Sequence, residues 1–201
     1  MARCYSVPVP NRQPPCPSIR PNVWIVSDAR NDAGLERALA RLPRGSGLIF
    51  RHYHLPPGPR RARFETLARI ARRHGHCVVL SGTPREARAW GADGVYGAAE
   101  RLARGPAVLR LVTVHSLREL AKAHRARADV VLISPVFPTR SHPGAPALGP
   151  LRFRLLAARA QVPAIALGGM TMHRARAFGL RKWAAIQGLA ESPTVLFPVH
   201  S

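Results

Sequence analysis

The sequence predicts one compact α/β domain, a closed (β/α)8 or TIM barrel, behind a proline-rich lead. Three observations predict it. From residue 23 onward, strand and helix signals alternate eight times within about 180 residues, joined by short connections. The strand segments are apolar and rich in β-branched residues, as in a parallel sheet covered on both faces. Two of them, in VLISPVFPTRSHPGAPALG (131–149) and VPAIALGG (162–169), end in small, turn-forming or hydroxyl residues, the pattern of strands that deliver ligand-binding loops. An open doubly wound sheet is the alternative, but no G-x-G-x-x-G element follows the first strand. Barrels of this class usually need roughly 250 residues, so the loops here must be minimal.

The elements follow in order. Residues 1–22 hold six prolines and no periodicity, and are expected to form a flexible lead; residues 23–201 form the barrel. VWIVS (23–27) is the first strand. Residues 32–42 carry a helical stripe of Ala33, Leu35, Ala38, Leu39 and Leu42. GLIFR (47–51) is the second strand, and HLPPGP (54–59) breaks the chain. Residues 61–74 are helical, with Phe64, Leu67, Ala68, Ile70 and Ala71 facing inward and Gly75 as the stop. HCVVL (76–80) is the third strand. Thr83, Pro84 and Glu86 open a short helix that ends near Trp90. DGVY (93–96) is the fourth strand, followed by a weak helix over 98–103. Residues 108–114 form the fifth strand. Ser116 and Glu119 make a capping box for a helix to about Arg127. The sixth strand covers 130–134, and the loop 135–148 contains four prolines. A helix over 149–160, a strand over 164–167, a helix from Thr171 to about Phe178 and a strand over 183–186 complete the alternation. A last short helix is expected from Gly188.

The composition suits a single globular core: 201 residues, 46% hydrophobic. No apolar run approaches a membrane span, and the first twenty residues lack a signal-peptide core, so a cytoplasmic protein is expected. Cys4, Cys16 and Cys77 match no zinc or redox spacing and read as reduced thiols. The charge is unusual. Lys and Arg total 31 against 10 acidic residues, a net charge of +21, and only Lys122 and Lys182 are lysines. The arginines are spread over nearly every predicted helix: Arg60, Arg61, Arg63, Arg69, Arg72 and Arg73 on one, Arg174 and Arg176 on another. No aromatic residues interleave with them as a stacking platform, so they read as a solvated exterior and no nucleic-acid partner is expected. The positive field would still favour an anionic substrate.

Four segments carry a resemblance: GADGVYG (91–97), TVHSLREL (113–120), ADVVLISPVFPTRSHPGAPALG (128–149) and VPAIALGGM (162–170). Their order and spacing are similar to the thiamine-phosphate synthase and TenI superfamily, over about residues 23–192. The resemblance implies a (β/α)8 barrel of thiamine biosynthesis. Its synthases join hydroxymethylpyrimidine diphosphate to a thiazole phosphate and release pyrophosphate, with Mg²⁺. The reaction is dissociative, so it needs neutralisation of the leaving group and tight positioning of two rings.

Carried onto this chain, the resemblance implies roles for specific residues. Arg51 would grip the diphosphate, as a guanidinium can in bidentate fashion. Thr113, His115 and Ser116 match the family's S-V-H-S, although Ser116 is equally a helix cap. Thr139 and Ser141 match the hydroxyls of a P-T-x-T-K loop. Gly168 and Gly169, with Gln187 and Gly188, would cradle the thiazole phosphate with backbone amides. The chain also departs from the pattern. Ser81-Gly82-Thr83 stands where the family has Asn-Asp, and Gly97-Ala98-Ala99-Glu100 where it has Gly-Gln-Glu-Asp, leaving Glu100 as the one substitute Mg²⁺ ligand. His142 replaces a lysine, and His52, Tyr53 or His54 replaces another. Two other readings therefore stand beside the synthase: a TenI-type thiazole tautomerase using His142 or His115 as acid and base, and a non-catalytic binder of a phosphorylated ligand. Small phosphorylated pyrimidines and thiazoles are the expected partners; oligomeric state is left open.

Overall fold

A computed structural model of the chain describes residues 21–139, 144, 146–187 and 189. Eight parallel strands close into a barrel in sequence order. They are β1 (Val23–Val26), β2 (Gly47–Phe50), β3 (Cys77–Ser81), β4 (Gly94–Gly97), β5 (Leu109–Val114), β6 (Val130–Ile133), β7 (Ala164–Leu167) and β8 (Trp183–Ala185). The ring closes where Val23 pairs with Trp183 and Ile25 with Ala185. Between the strands lie α1 (Leu35–Arg41), α2 (Pro57–Arg73), α3 (Pro84–Ala89), α4 (Ala99–Leu102), α5 (Leu117–Arg125), α6 (Gly149–Arg159) and α7 (Met172–Ala177). The predicted fold class and strand order are those observed. The proline-rich lead and the last predicted helix lie outside the described residues, Pro21, Asn22 and Leu189 apart.

Period-two alternation splits the core into two layers. Trp24, Val26, Ile49, Cys77, Val79, Tyr96, Leu111, Val130, Leu132, Ile165 and Leu167 fill the barrel interior. Ile25, Leu48, Phe50, Val78, Leu80, Val95, Val112, Ile133 and Ala166 face outward and pack against the helices. Trp24 is fully buried, and its indole N–H donates to the Pro21 carbonyl at 2.9 Å. Gly47 is its partner across β1 and β2; a Cβ there would sit 2.1 Å from the Trp24 ring. The ring thus occupies the space that a side chain at residue 47 would need.

Two helix boundaries differ from expectation. The first predicted helix is split: a 3-10 turn over Ala29–Gly34 precedes α1. Asp28 caps the turn, and buried Asn31 donates from its amide to the carbonyls of Val26 and Ile186, at 2.9 and 2.7 Å, tying the first crossover to β8. α2 begins at Pro57, inside the segment read as a break. Proline at the first turn loses only an N–H that has no helical acceptor, so Pro57 and Pro59 start this helix. The caps at Thr83, Ser116 and Thr171 form, each side chain accepting from the amide three residues on, but the box expected at Ser116 is incomplete, because Glu119 accepts from the His115 amide at 2.9 Å instead of from that of Ser116.

Two histidines are buried in the helix-facing region. His52 stacks on Phe50 with ring centroids 4.7 Å apart. The Ser27 hydroxyl accepts from the Arg51 amide at 2.8 Å, so its own proton goes to Nδ1 of His52 at 2.7 Å. The other ring nitrogen then donates to Asp32 at 2.8 Å. Burial pushes the His52 pKa down, against the pull of Asp32. His76 donates to the Leu39 carbonyl at 2.9 Å, and burial lowers its pKa too.

Two predictions follow from this packing. Gly47→Ala forces the Trp24 ring aside and lowers the unfolding free energy by about 1–3 kcal/mol in chemical denaturation; parental stability would contradict the packing of Trp24. Neutral, buried His52 and His76 take up protons more readily in the unfolded chain. Stability is therefore retained above about 6.5, the ordinary imidazole value, and declines as pH falls below it. Urea midpoints between pH 8 and 5.5 should show that decline, and a His52→Gln, His76→Gln double variant should flatten it. A parental midpoint that stays level or rises on acidification would contradict it.

Candidate functional site

A closed parallel barrel brings the carboxyl ends of all its strands to one rim. The inward alternation that places Val26, Ile49, Val79, Leu111 and Leu132 in the interior carries Asp28, Arg51, Ser81, Thr113 and Ser134 to the layer above them. The apolar interior thus ends in a polar mouth.

On the β1–β4 side, Arg51 follows β2. Its amide is fixed by Ser27, and through Ser27 by the buried His52. Its guanidinium lies 3.8 Å from Asp28 and 5.4 Å from the Tyr53 ring centroid. Its Nε is buried with no hydrogen-bond partner. The Tyr53 hydroxyl meets the Ser81 hydroxyl. Tyr96 lies at the top of the interior, and burial pushes its phenol up to about 12, so it stays neutral. Arg60, in the first turn of α2, reaches the same corner. It donates to the carbonyls of Arg51 at 3.1 Å and Ser81 at 2.7 Å, and lies over the rings of Tyr53 and Trp90 at 5.8 and 5.3 Å.

On the opposite side, Thr113 is half-buried near the end of β5 and His115 is exposed just beyond it. The His115 Nδ1–H donates to the Ser134 carbonyl at 2.5 Å, which leaves Nε2 as the acceptor nitrogen of the neutral ring. Thr139 is half-buried in the turn after β6. Gly168 and Gly169 form the turn after β7, with φ of 93° and 60°. A Cβ on Gly168 would lie 2.7 Å from the Pro135 Cα, and one on Gly169 2.5 Å from the Pro138 carbonyl oxygen. The Val136 and Phe137 amides donate to the Leu167 and Gly168 carbonyls at 2.9 and 3.1 Å. Glycine is thus required here so that the turn after β6 can seat against the turn after β7. Arg174, in the first turn of α7, donates to the Gly169 carbonyl and lies 4.8 Å over the Phe137 ring. Gln187 follows β8 and is half-buried. Ser141, His142 and Gly188 lie outside the described residues.

Several arginines are not the solvated exterior that the sequence suggested. Arg60 and Arg174 sit at the mouth. Arg63 bridges Asp32 and Glu36, and Arg110 donates to the Leu102 carbonyl at 2.8 Å. The signal for Arg60 was the proline pair of the first turn. In a barrel with short connections, the first turn of each helix lies beside the mouth, and Pro57 puts residue 60 there.

The residues present do not fit the Mg²⁺ that the resemblance implies. Carboxylates around β1–β4 are engaged elsewhere: the Arg30 guanidinium holds Asp28 below the usual carboxylate range, Arg63 does the same to Glu36, the Thr83 amide to Glu86, and Lys122, at 2.6 Å, to Glu100. Among the described residues no group of three His, Cys, Asp or Glu side chains could hold a metal. Guanidinium, phenol and hydroxyl groups are what this corner offers, and a hard divalent cation needs anionic oxygen.

The comparisons with known proteins agree with this architecture. The family model described as thiamine monophosphate synthase matches residues 23–189. A thiamine-phosphate synthase of Mycolicibacterium paratuberculosis is 31% identical over 175 residues, covering 76% of this chain and 77% of that protein. One of Parasynechococcus marenigrum is 32% identical over 143 residues, covering 66% of this chain but only 41% of that protein. The solved thiamine phosphate pyrophosphorylase of Pyrococcus furiosus superposes with a TM-score of 0.70 at 22% identity, over 83% of this chain and 85% of that one. No helix among the described residues is long and apolar enough to cross a membrane. With the barrel closed, the motif-bearing turns at its mouth and the match extending from β1 to beyond β8, this chain belongs to the thiamine monophosphate synthase family.

Proposed function

We propose that the chain is a synthase-type transferase of thiamine biosynthesis, joining hydroxymethylpyrimidine diphosphate to thiazole phosphate. The observation that supports this reading is the division of the mouth. Arg51, with its buried, unpartnered Nε, stands on the β1–β4 side, and the tight Gly168–Gly169 turn stands on the other. This reading assigns the diphosphate to Arg51 and the thiazole phosphate to the amides of Gly168 and Gly169, with Gln187 following β8; Gly188, which the resemblance adds to that cradle, lies outside the described residues. Thr139, in the turn after β6, is assigned to the space between the two anions, and Thr113 faces the rings from β5; Ser141, the other hydroxyl the resemblance implies, lies outside the described residues.

In this reaction the bond between the pyrimidine methylene carbon and the diphosphate oxygen breaks, and its electron pair leaves with pyrophosphate. The thiazole nitrogen then supplies the pair for the new carbon–nitrogen bond, and the ring becomes a thiazolium. No protein nucleophile takes part. The chain supplies positive charge where negative charge accumulates on the leaving group, and holds the two rings in line. Tethering of the Arg51 backbone to Ser27 and His52 limits the reorganisation required at that step.

His115 supports a second reading, the thiazole tautomerase. Its Nδ1–H is committed to Ser134, which orients Nε2 as a base able to take and return one proton. His142 was the other candidate base; it lies outside the described residues.

The purified protein, given both precursors, should release thiamine phosphate and pyrophosphate in equal amounts. Arg51→Met should lower kcat/KM by about 10²–10³-fold, the usual cost of one charge-stabilising donor. Absence of both products from folded protein, at every Mg²⁺ concentration, contradicts the synthase reading. Interconversion of thiazole carboxylate phosphate isomers, abolished by His115→Ala, would replace it with the tautomerase.

A further inference from the structure

We propose that the corner between β2 and β3 is a metal-independent site for a diphosphate group, in which Arg60 acts with Arg51 in place of a divalent cation. This inference rests on the synthase-type reading above and adds a residue and an ionic requirement to it.

Four observations carry it. First, both guanidiniums converge on one ring: Arg51 is 5.4 Å and Arg60 5.8 Å from the Tyr53 centroid. Second, they are anchored through neighbouring strand ends, since Arg60 donates to the Arg51 carbonyl after β2 and to the Ser81 carbonyl at the end of β3. Third, neither makes a close ion pair of its own. Arg60 has no described carboxylate within ion-pair distance, although Glu86 is near enough to favour its charge, and the single pair of Arg51 is a 3.8 Å contact with Asp28, which Arg30 already holds at 2.6 Å. Fourth, the buried Arg51 Nε has no acceptor.

Burial weakens the hydration of both guanidiniums, and on Arg60 it works against the charge, opposed by the pull of Glu86 and Tyr53. An anion with several acceptor oxygens replaces the hydration that burial removes, giving Arg51 Nε its partner and bridging the remaining N–H groups of the Arg60 fork. A planar guanidinium pair matches phosphate oxygens in bidentate fashion. A divalent cation needs anionic oxygen, which the guanidinium, phenol and hydroxyl groups of this corner do not supply. The ligand class is therefore a diphosphate monoester or inorganic pyrophosphate as the free anion.

Inorganic pyrophosphate is the probe, titrated calorimetrically into the full chain in EDTA and again with excess Mg²⁺. The proposal expects binding in EDTA with an affinity that Mg²⁺ does not raise. Arg60→Met should weaken it at least about tenfold, with Arg60→Lys recovering only part, because an ammonium loses the fork. Arg61→Met is the control for the overall +21 charge. That residue lies on the same helix, is exposed and pairs with Glu65, so its loss should change the affinity less than about twofold. Thermal melts of each variant verify folding. Binding that appears only with Mg²⁺, an Arg61 effect equal to that of Arg60, or no binding at all would overturn the proposal. Thiazole phosphate titrated into the same samples separates the two failures. If it binds while pyrophosphate does not, this inference alone fails; if neither binds, the synthase reading fails with it.

Discussion

The pairing of β1 with β8 is the constraint on which the rest depends. An open sheet would have two edges and no common mouth. Closure by Val23 with Trp183 and Ile25 with Ala185 sends the ends of all eight strands to one rim. Trp24 fills the interior near that seam, in space that Gly47 leaves open, and Asn31 binds β1 to β8 from outside through two carbonyls. Arg51, Thr113 and Gly168 lie far apart in sequence, and they line one mouth only because the ring is shut.

Charge is organised differently around that mouth than net charge suggests. An arginine-rich exterior would be screened and of little consequence. Here a subset of arginines is bound to backbone carbonyls at strand ends, where solvent screens them less. Arg60 caps the ends of β2 and β3, and Arg174 caps the turn after β7. Acidic residues near β1–β4 are meanwhile tied to Arg30, Arg63 and Lys122 or to a helix cap. The result is a rim with fixed positive charge on two sides and no carboxylate group arranged for a metal among the described residues. The Mg²⁺ that the synthase resemblance implies therefore finds no ready group of ligands among these residues, on a barrel whose fold is retained.

Strands were legible because parallel strands buried on both faces read as short apolar runs. Val130–Ile133 and Ala164–Leu167 stand out in this way, and helices with Thr83, Ser116 and Thr171 as caps announce their starts. The 3-10 turn at Ala29–Gly34 was not legible, because it depends on Asn31 reaching Ile186, a contact across 155 positions. Arg51 and the Gly168–Gly169 pair were found through motif resemblance. Arg60 and Arg174 were not, since their roles rest on carbonyls in other strands and turns, and residue type alone does not separate them from Arg61. His52 was visible only as a replacement for a lysine; its stacking on Phe50 and its link through Ser27 to Arg51 are products of the fold.

The most direct test of a mouth with two anion sites and no metal is a crystal grown with thiazole phosphate, pyrophosphate and Mn²⁺. This account predicts one phosphate against the Gly168–Gly169 turn, a pyrophosphate held by Arg51 and Arg60, and no anomalous manganese peak between them. A manganese ion bridging pyrophosphate to side-chain carboxylates, or a rim filled by its own side chains, would contradict it.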